Sequence, residues 1–128
     1  AIDKVTYWKE LAEYDIDTAE VMFTGGRWLY VGFMCHQVVE KTIKAYWSAI
    51  KPDEIPFIHN LLKLAQSCGL VSKMSQEQLK FLAELMPMNI EARYPSYKDK
   101  LFKKLTPEYC RILIDKTKEL KLWIENLL

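Results

Sequence analysis

The sequence has few of the residues that build loops and cofactor-binding turns. Only four of its 128 residues are glycine and five are proline. The phosphate-binding pattern Gly-x-x-x-x-Gly-Lys-Ser/Thr and the dinucleotide-binding pattern Gly-x-Gly-x-x-Gly are both absent. No apolar run approaches the roughly 20 residues that a membrane-spanning helix needs. We therefore expect a compact, mostly helical chain that does not enter a membrane.

Cysteine and histidine are also scarce. The three cysteines, Cys35, Cys68 and Cys110, are odd in number, far apart and never arranged as Cys-x-x-Cys. Together with the lack of a signal-peptide pattern, this predicts reduced, buried thiols in a cytoplasmic protein. His36 and His59 are the only histidines, and neither His-Glu-x-x-His nor a pair of Glu-x-x-His motifs occurs. No metal site and no cofactor are therefore predicted.

The formal net charge is only +1, so no overall field attracts nucleic acid or a membrane. One local basic cluster lies at residues 93–105, where aromatic residues alternate with lysines and interrupt the helical pattern. Its members are Arg93, Tyr94, Tyr97, Lys98, Lys100, Phe102, Lys103 and Lys104. Two interpretations stay open: a surface on which a nucleotide or RNA strand stacks, or a solvated loop held down by its tyrosines.

The longest helical pattern runs from Gly25 to Lys51 and is followed by Pro52. Most of its circumference is apolar, which predicts a central helix with neighbours on several sides. The remaining arc is polar and narrow at 100° per residue. It contains Gln37, Glu40, Lys41, Lys44, Ser48 and Lys51. This arc is either the helix's one contact with water or a functional strip facing a cleft.

The rest of the chain predicts further helices around this one. A first helix covers residues 3–23, with the carboxylate of Asp15 on its inner face, and Gly25-Gly26 allows an antiparallel reversal. A short helix covers residues 60–68, a fourth begins at the capping-box residue Ser75, and the last begins at Thr106-Pro107. The predicted fold is all-α: one domain over residues 1–128, an antiparallel up-and-down bundle of four main helices plus one short helix.

Four stretches share both content and order with a known family. They are Trp8, Ala12, Asp15, Ile16 and Ala19; Phe33, Gln37, Glu40, Lys41, Lys44 and Ala45; His59, Asn60, Leu61 and Leu62; and Arg93, Tyr94 and Pro95. In this pattern the chain resembles the HEPN domain family over nearly its whole length. The resemblance implies a helical bundle of prokaryotic cytoplasm, often a homodimer. It also implies a nucleotidyltransferase partner in a toxin–antitoxin pair, and nucleotide binding.

The sequence departs from the family's ribonuclease members in one respect. Those members carry an arginine followed after four to six residues by a histidine, near the start of the last helix. Neither Arg93 nor Arg111 has a histidine downstream. The chemistry needs a cation for the phosphate and an imidazole for proton transfer, so we predict no ribonuclease of this type and assign no catalytic residue.

The leading hypothesis is that polar residues from these matching stretches converge on an anionic ligand, a nucleotide or an RNA phosphate. The predicted ligand-binding residues are Lys41, Lys44, His59, Arg93 and Tyr94, with Asp15 and Glu40 as orienting or structural carboxylates. Lysine and arginine would pair with phosphate and the tyrosine would stack on a base. The competing interpretation is a purely structural salt network between the helices.

Two other functional classes remain open. One is a non-catalytic module that binds a nucleotidyltransferase partner, and the other is a ribonuclease with an unfamiliar site. Three large apolar residues, Trp47, Phe57 and Trp123, are candidates for a dimer interface.

Overall fold

The computed structural model describes residues 3–89 and 95–128, and the regular secondary structure of these residues is entirely helical. The helices are α1 (Lys4–Thr24), α2 (Trp28–Ile50), α3 (Leu61–Ser67), α4 (Gln76–Leu85), α5 (Pro95–Lys104) and α6 (Pro107–Glu125). Short 3-10 turns follow α3 at Leu70–Lys73 and α4 at Met86–Asn89. The predicted all-α class is confirmed.

The helix boundaries follow the local chemistry that the sequence displays. Asp3 caps α1 by accepting hydrogen bonds from the backbone of its first turn. Ser75 and Gln78 form the predicted capping box of α4, and Thr106 caps α6 with Pro107 in its first turn. Gly26 adopts a positive φ of 70° between α1 and α2, a conformation that costs glycine little.

Helix α2 is the centre of the molecule, and α1 packs along it. Contacts between the two run in opposite directions along the chain: Asp15 meets Lys41, and Lys4 reaches the carbonyl of Pro52. The two helices are therefore antiparallel, as the double glycine predicts. Helix α6 packs on α2 and α1, and α4 lies antiparallel to α6, since Tyr109 bonds to Glu84 at one end of the pair.

Residues 95–104 differ from the prediction, because this part of the basic cluster forms helix α5 instead of an irregular loop. Pro95 stands at its first position, where proline needs no amide partner and already has a helical φ. Leu101 and, just beyond the helix, Leu105 are buried, so spacing by four anchors it to the core. In the sequence, these two leucines stand among many charged residues, so they gave little indication of a helix.

Gly32 of α2 lies where the chain after α4 crosses the central helix. A Cβ built on Gly32 would stand 2.9 Å from the sulfur of Met88 and 3.5 Å from Leu105. The missing side chain therefore lets Met88 pack directly on α2. This contact brings the end of the α4 region, at Asn89, against the polar side of α2.

Candidate functional site

A row of polar residues on α2 lies inside the protein. His36, Glu40 and Lys44 follow one another at four-residue steps and so share one face of the helix. Their exposed fractions are 1%, 4% and 5%. Ionised groups at this depth lose their hydration and need partners within the fold. The surrounding helices and the linker 51–60 supply them.

The central partner is the carboxylate of Glu40, which pairs with the ammonium group of Lys44. The Nζ of Lys44 donates to Oε2 of Glu40 at 2.9 Å. The same ammonium lies 5.1 Å from the ring centroid of Trp8 on α1, a cation–π distance. The positive charge of Lys44 is thus stabilised by a carboxylate on its own helix, α2, and by an aromatic ring on α1.

The same carboxylate oxygen also holds a histidine at the surface. Nδ1 of His59, just before α3, lies 3.1 Å from Oε2 of Glu40. The His59 side chain is 70% exposed, whereas the Glu40 side chain is 5% exposed. Because an ionised carboxylate only accepts hydrogen bonds, Nδ1 carries the proton and donates it. Nε2 is then the ring atom left to interact with a ligand.

His36 lies beneath Glu40, on the interior side of the row. Its Nδ1 is 3.7 Å from Oε1 of Glu40, longer than a hydrogen bond. Among the described residues, neither of these two atoms has a hydrogen-bond partner. Burial lowers the pKa of His36 to about 4, although the negative charge of Glu40 opposes the shift. His36 is therefore neutral at physiological pH.

A second ion pair joins α2 to α1 beside this row. The Nζ of Lys41 donates to Oδ2 of Asp15. Asp15 is buried, while the Lys41 side chain is 21% exposed and reaches solvent. We call Asp15, His36, Glu40, Lys41, Lys44 and His59 the polar cluster. Its formal charges cancel while both histidines are neutral, because two lysines face two carboxylates.

Five of the seven predicted site residues form two contact groups, Asp15 with Lys41 and Glu40 with Lys44 and His59, which are adjacent because Glu40 and Lys41 are consecutive on α2. Arg93 and Tyr94 lie outside the described residues. The last described residue before them, Asn89, accepts a hydrogen bond of 3.0 Å from Gln37, one helical turn from Lys41. The chain therefore leaves the described part of the structure beside the polar cluster.

Two members of this environment were missed by sequence reasoning. His36 stands four residues before Glu40, and this spacing alone could have placed it in the row. Trp8 belongs to the first stretch of the family resemblance, but its position over Lys44 depends on how the two helices pack. No pattern within one sequence carries that information.

The cysteines do not contribute chemistry to the site. All three are free and buried, as predicted. Burial raises the pKa of Cys35 to about 12 and that of Cys110 to about 11. Both thiols stay protonated at neutral pH, and a protonated thiol is a weak nucleophile and metal ligand. Within residues 3–89 and 95–128, no cluster of three or more His, Cys, Asp or Glu residues could hold a metal ion.

A separate groove of about 600 Å³ opens between α4 and α6. Phe81, Leu120 and Trp123 form its apolar part, and Lys116 lies 5.7 Å from the Phe81 ring. The charged residues around it have both signs. None of the residues of the polar cluster lines this groove.

Of the three residues suggested for a dimer interface, Trp47 does not fit, because it is only 5% exposed and belongs to the core. Phe57 is exposed, and Trp123 is half-buried beside the groove. Within the described ranges, no helix combines the length and apolar character needed to cross a membrane.

Comparison with known proteins gives one result that covers the chain. The family model of the HEPN domain matches residues 5–127. This range includes the whole polar cluster and every described helix except the first residue of α1. No curated protein and no solved structure matches the chain.

Proposed function

This chain belongs to the HEPN domain family, and on that premise we propose that it binds the phosphate of a nucleotide at the polar cluster. The nucleotide is either free or part of an RNA strand, since both present the same anionic group. His59 and Lys41 contact the phosphate, and Arg93 supplies a further cation.

The observation that supports this proposal best is the position of His59. Its imidazole is 70% exposed, yet its Nδ1 is held at 3.1 Å by a carboxylate that is itself buried. A ring oriented from below in this way presents Nε2 outwards at low entropic cost. With a proton on both nitrogens, the ring would donate to Glu40 through Nδ1 and to the phosphate through Nε2.

Lys41 gives the second contact. It follows Glu40 directly in the sequence, and its partly exposed ammonium has three donors, of which Asp15 takes one. Asp15 limits the positions that the lysine adopts, which is the orienting role predicted for it. The remaining donors are available to an anion.

Lys44 and Glu40 act from beneath the ligand. Their side chains are only 6% and 5% exposed, so Lys44 influences a bound phosphate through its charge and through the shared oxygen of Glu40. Arg93 and Tyr94 follow Asn89 by four and five residues, and Asn89 is bonded to the polar face of α2. In the proposal Arg93 pairs with phosphate and Tyr94 packs against the base.

A ligand screen tests the proposal. We expect nucleoside mono-, di- or triphosphates to raise the melting temperature of the wild-type protein. A ligand at 100 times its Kd stabilises by about 2.7 kcal/mol. Lys41→Ala and His59→Ala should each reduce the rise, because each removes a donor to the phosphate. The measurement is differential scanning fluorimetry across a ligand concentration series.

The matched control is Lys118→Ala on α6. Lys118 is also a partly exposed lysine in an ion pair, 2.9 Å from Glu20, but it belongs to another surface. A ligand should raise the melting temperature of Lys118→Ala as much as it raises that of the wild type. The proposal fails if no nucleotide stabilises the wild type, or if all three variants respond to ligand as the wild type does.

A second candidate function is supported by an exposed apolar row on α1. Tyr7, Tyr14 and Val21 stand at seven-residue steps and are 47%, 72% and 63% exposed. Such a row suits a helical partner. We therefore propose, as the alternative, a cytoplasmic toxin–antitoxin pair. In it, a homodimer of this chain would bind a nucleotidyltransferase without performing chemistry itself.

Co-expression with a nucleotidyltransferase encoded beside this chain tests the alternative. We expect co-elution in size-exclusion chromatography and its loss in Tyr14→Lys, because the charge would face the partner's apolar surface. Lys118→Ala serves again as the surface control. If the two chains elute separately, or if Tyr14→Lys leaves the complex intact, the row on α1 is not the docking surface.

A further inference from the structure

The linker between α2 and α3 presents an aromatic side chain to solvent beside the polar cluster. Phe57 is 78% exposed, more than any other large apolar residue that the structure describes. A fully exposed phenyl ring forgoes roughly 1.5–3 kcal/mol of the hydrophobic free energy that its burial would provide. It stands two residues before His59, the exposed member of the cluster.

Exposed and buried residues alternate along this part of the linker. Pro56 is buried and Ile58 packs partly against the core, whereas Phe57 and His59 are exposed. This alternation with a period of two is what extended backbone gives. Side chains two residues apart in extended chain lie about 6.6–6.8 Å from each other. Phe57 and His59 therefore both face solvent, two residues apart on one linker.

The two rings are held in place to different degrees. His59 is anchored by Glu40, and the amide of Phe57 donates to the carbonyl of Ile55 at 3.1 Å around the buried Pro56. The start of the linker is tied to α1, where Lys4 donates to the carbonyl of Pro52 at 2.7 Å. The backbone that carries Phe57 is thus positioned before any ligand arrives.

We infer that Phe57 stacks on the base of the nucleotide whose phosphate lies at His59 and Lys41. This inference rests on the proposed function and narrows its ligand to an unpaired nucleotide, free or within a single strand. An apolar ring gains nothing from bare phosphate, and the bases of a duplex are already stacked on each other. A phenyl face accepts any base, so Phe57 provides affinity with little discrimination among the four.

The test compares ligands with and without a base. The probes are inorganic phosphate, ribose 5-phosphate, AMP, a single-stranded hexanucleotide and a duplex of related sequence, measured by isothermal titration calorimetry. The wild type should bind AMP more tightly than ribose 5-phosphate. Phe57→Ala should lower the affinity for AMP about 5- to 150-fold, the range found when one stacking ring is removed. The affinity for ribose 5-phosphate should not change.

Two further variants complete the design. Phe57→Trp should retain AMP affinity, because its indole also stacks. Ile55→Ala removes another apolar side chain of the same linker, one that is 64% exposed, and should leave the affinity for AMP unchanged. Tighter binding of the hexanucleotide than of AMP would identify a strand as the natural ligand, and equal binding a free nucleotide. Either result supports the inference, provided that the duplex binds more weakly.

Two results would overturn it. One is an AMP affinity that Phe57→Ala does not change. The other is equal loss for AMP and ribose 5-phosphate, which would assign Phe57 a structural role. If either occurs while His59→Ala still weakens phosphate binding, the proposed function stands and only the role of Phe57 is lost. If no probe binds the wild type, both fail. Dissociation of a dimer by Phe57→Ala, with AMP binding intact, would place the residue in a subunit interface instead.

Discussion

Replacing Lys44 with methionine is expected to lower the free energy of unfolding by about 3–5 kcal/mol. The substitution keeps most of the side-chain volume but removes the ammonium that faces Oε2 of Glu40 at 2.9 Å. A carboxylate whose side chain is 5% exposed would then be buried without its cation. Urea denaturation followed by circular dichroism at pH 7 measures the change.

The matched control for this prediction is Lys118→Met. Lys118 pairs with Glu20 at the same distance of 2.9 Å, but the two side chains are 48% and 36% exposed. Pairs exposed to this extent contribute about 0–1 kcal/mol, since water screens them. Joint replacement of Glu40 by leucine and Lys44 by methionine should recover much of the stability lost in Lys44→Met. Equal effects of the two lysine substitutions would contradict the assignment of a buried pair.

Stability should also fall in acid because of His36. Burial lowers its pKa from 6.5 to about 4, so between these values the unfolded chain binds a proton that the folded protein does not. The free energy of unfolding must then rise with pH over this window and become independent of His36 above it. The full difference corresponds to about 3 kcal/mol. Denaturation midpoints measured from pH 4 to pH 7.5 give the profile.

The variant His36→Leu separates this effect from the titration of carboxylates. Its stability should depend less on pH between 4 and 6.5 than that of the wild type, because the buried base is gone. His59→Ala is the control, since it removes the exposed imidazole and keeps the buried one. A wild-type profile that His36→Leu reproduces unchanged would show that His36 does not govern acid stability.

The helical architecture was accessible from the sequence because its signals are local. Capping residues such as Asn60, Ser75 and Thr106 act within their own first turn, and each does so in the structure. The antiparallel pairing of α1 and α2 follows from the short reversal at Gly25-Gly26. The helix α5 was not predicted, because only two leucines in a highly charged segment indicate its buried face.

The site could be anticipated only in part, for a physical reason. Lys41, Lys44 and Glu40 share a helix, so their common face follows from helical geometry. The contacts with Asp15, Trp8 and His59 cross between elements, and their partners depend on packing register. The described structure pairs Asp15 with Lys41 and Glu40 with Lys44, and Arg93 lies outside the described residues.

The burial of Trp47 illustrates the same limit. Position 47 lies outside the polar arc of α2, and its large apolar side chain suggested a contact in a dimer interface. In the structure Trp47 is 5% exposed and belongs to the hydrophobic core, and Lys51 lies 4.9 Å from its ring centroid. Which apolar positions of α2 are fully covered depends on how the other elements pack on it, so the exposure of Trp47 could not be judged from its helix alone.

One oxygen atom, Oε2 of Glu40, joins the interior of the protein to its surface, because Lys44 and His59 both bind it. A ligand that alters the hydrogen bond of His59 would therefore act on the hydrogen bond of Lys44 through this shared atom. Protonation at the surface strengthens one hydrogen bond of this oxygen and weakens the competing one. Binding of a ligand at His59 should therefore change the hydrogen-exchange rates of the backbone amides around Lys44 in α2.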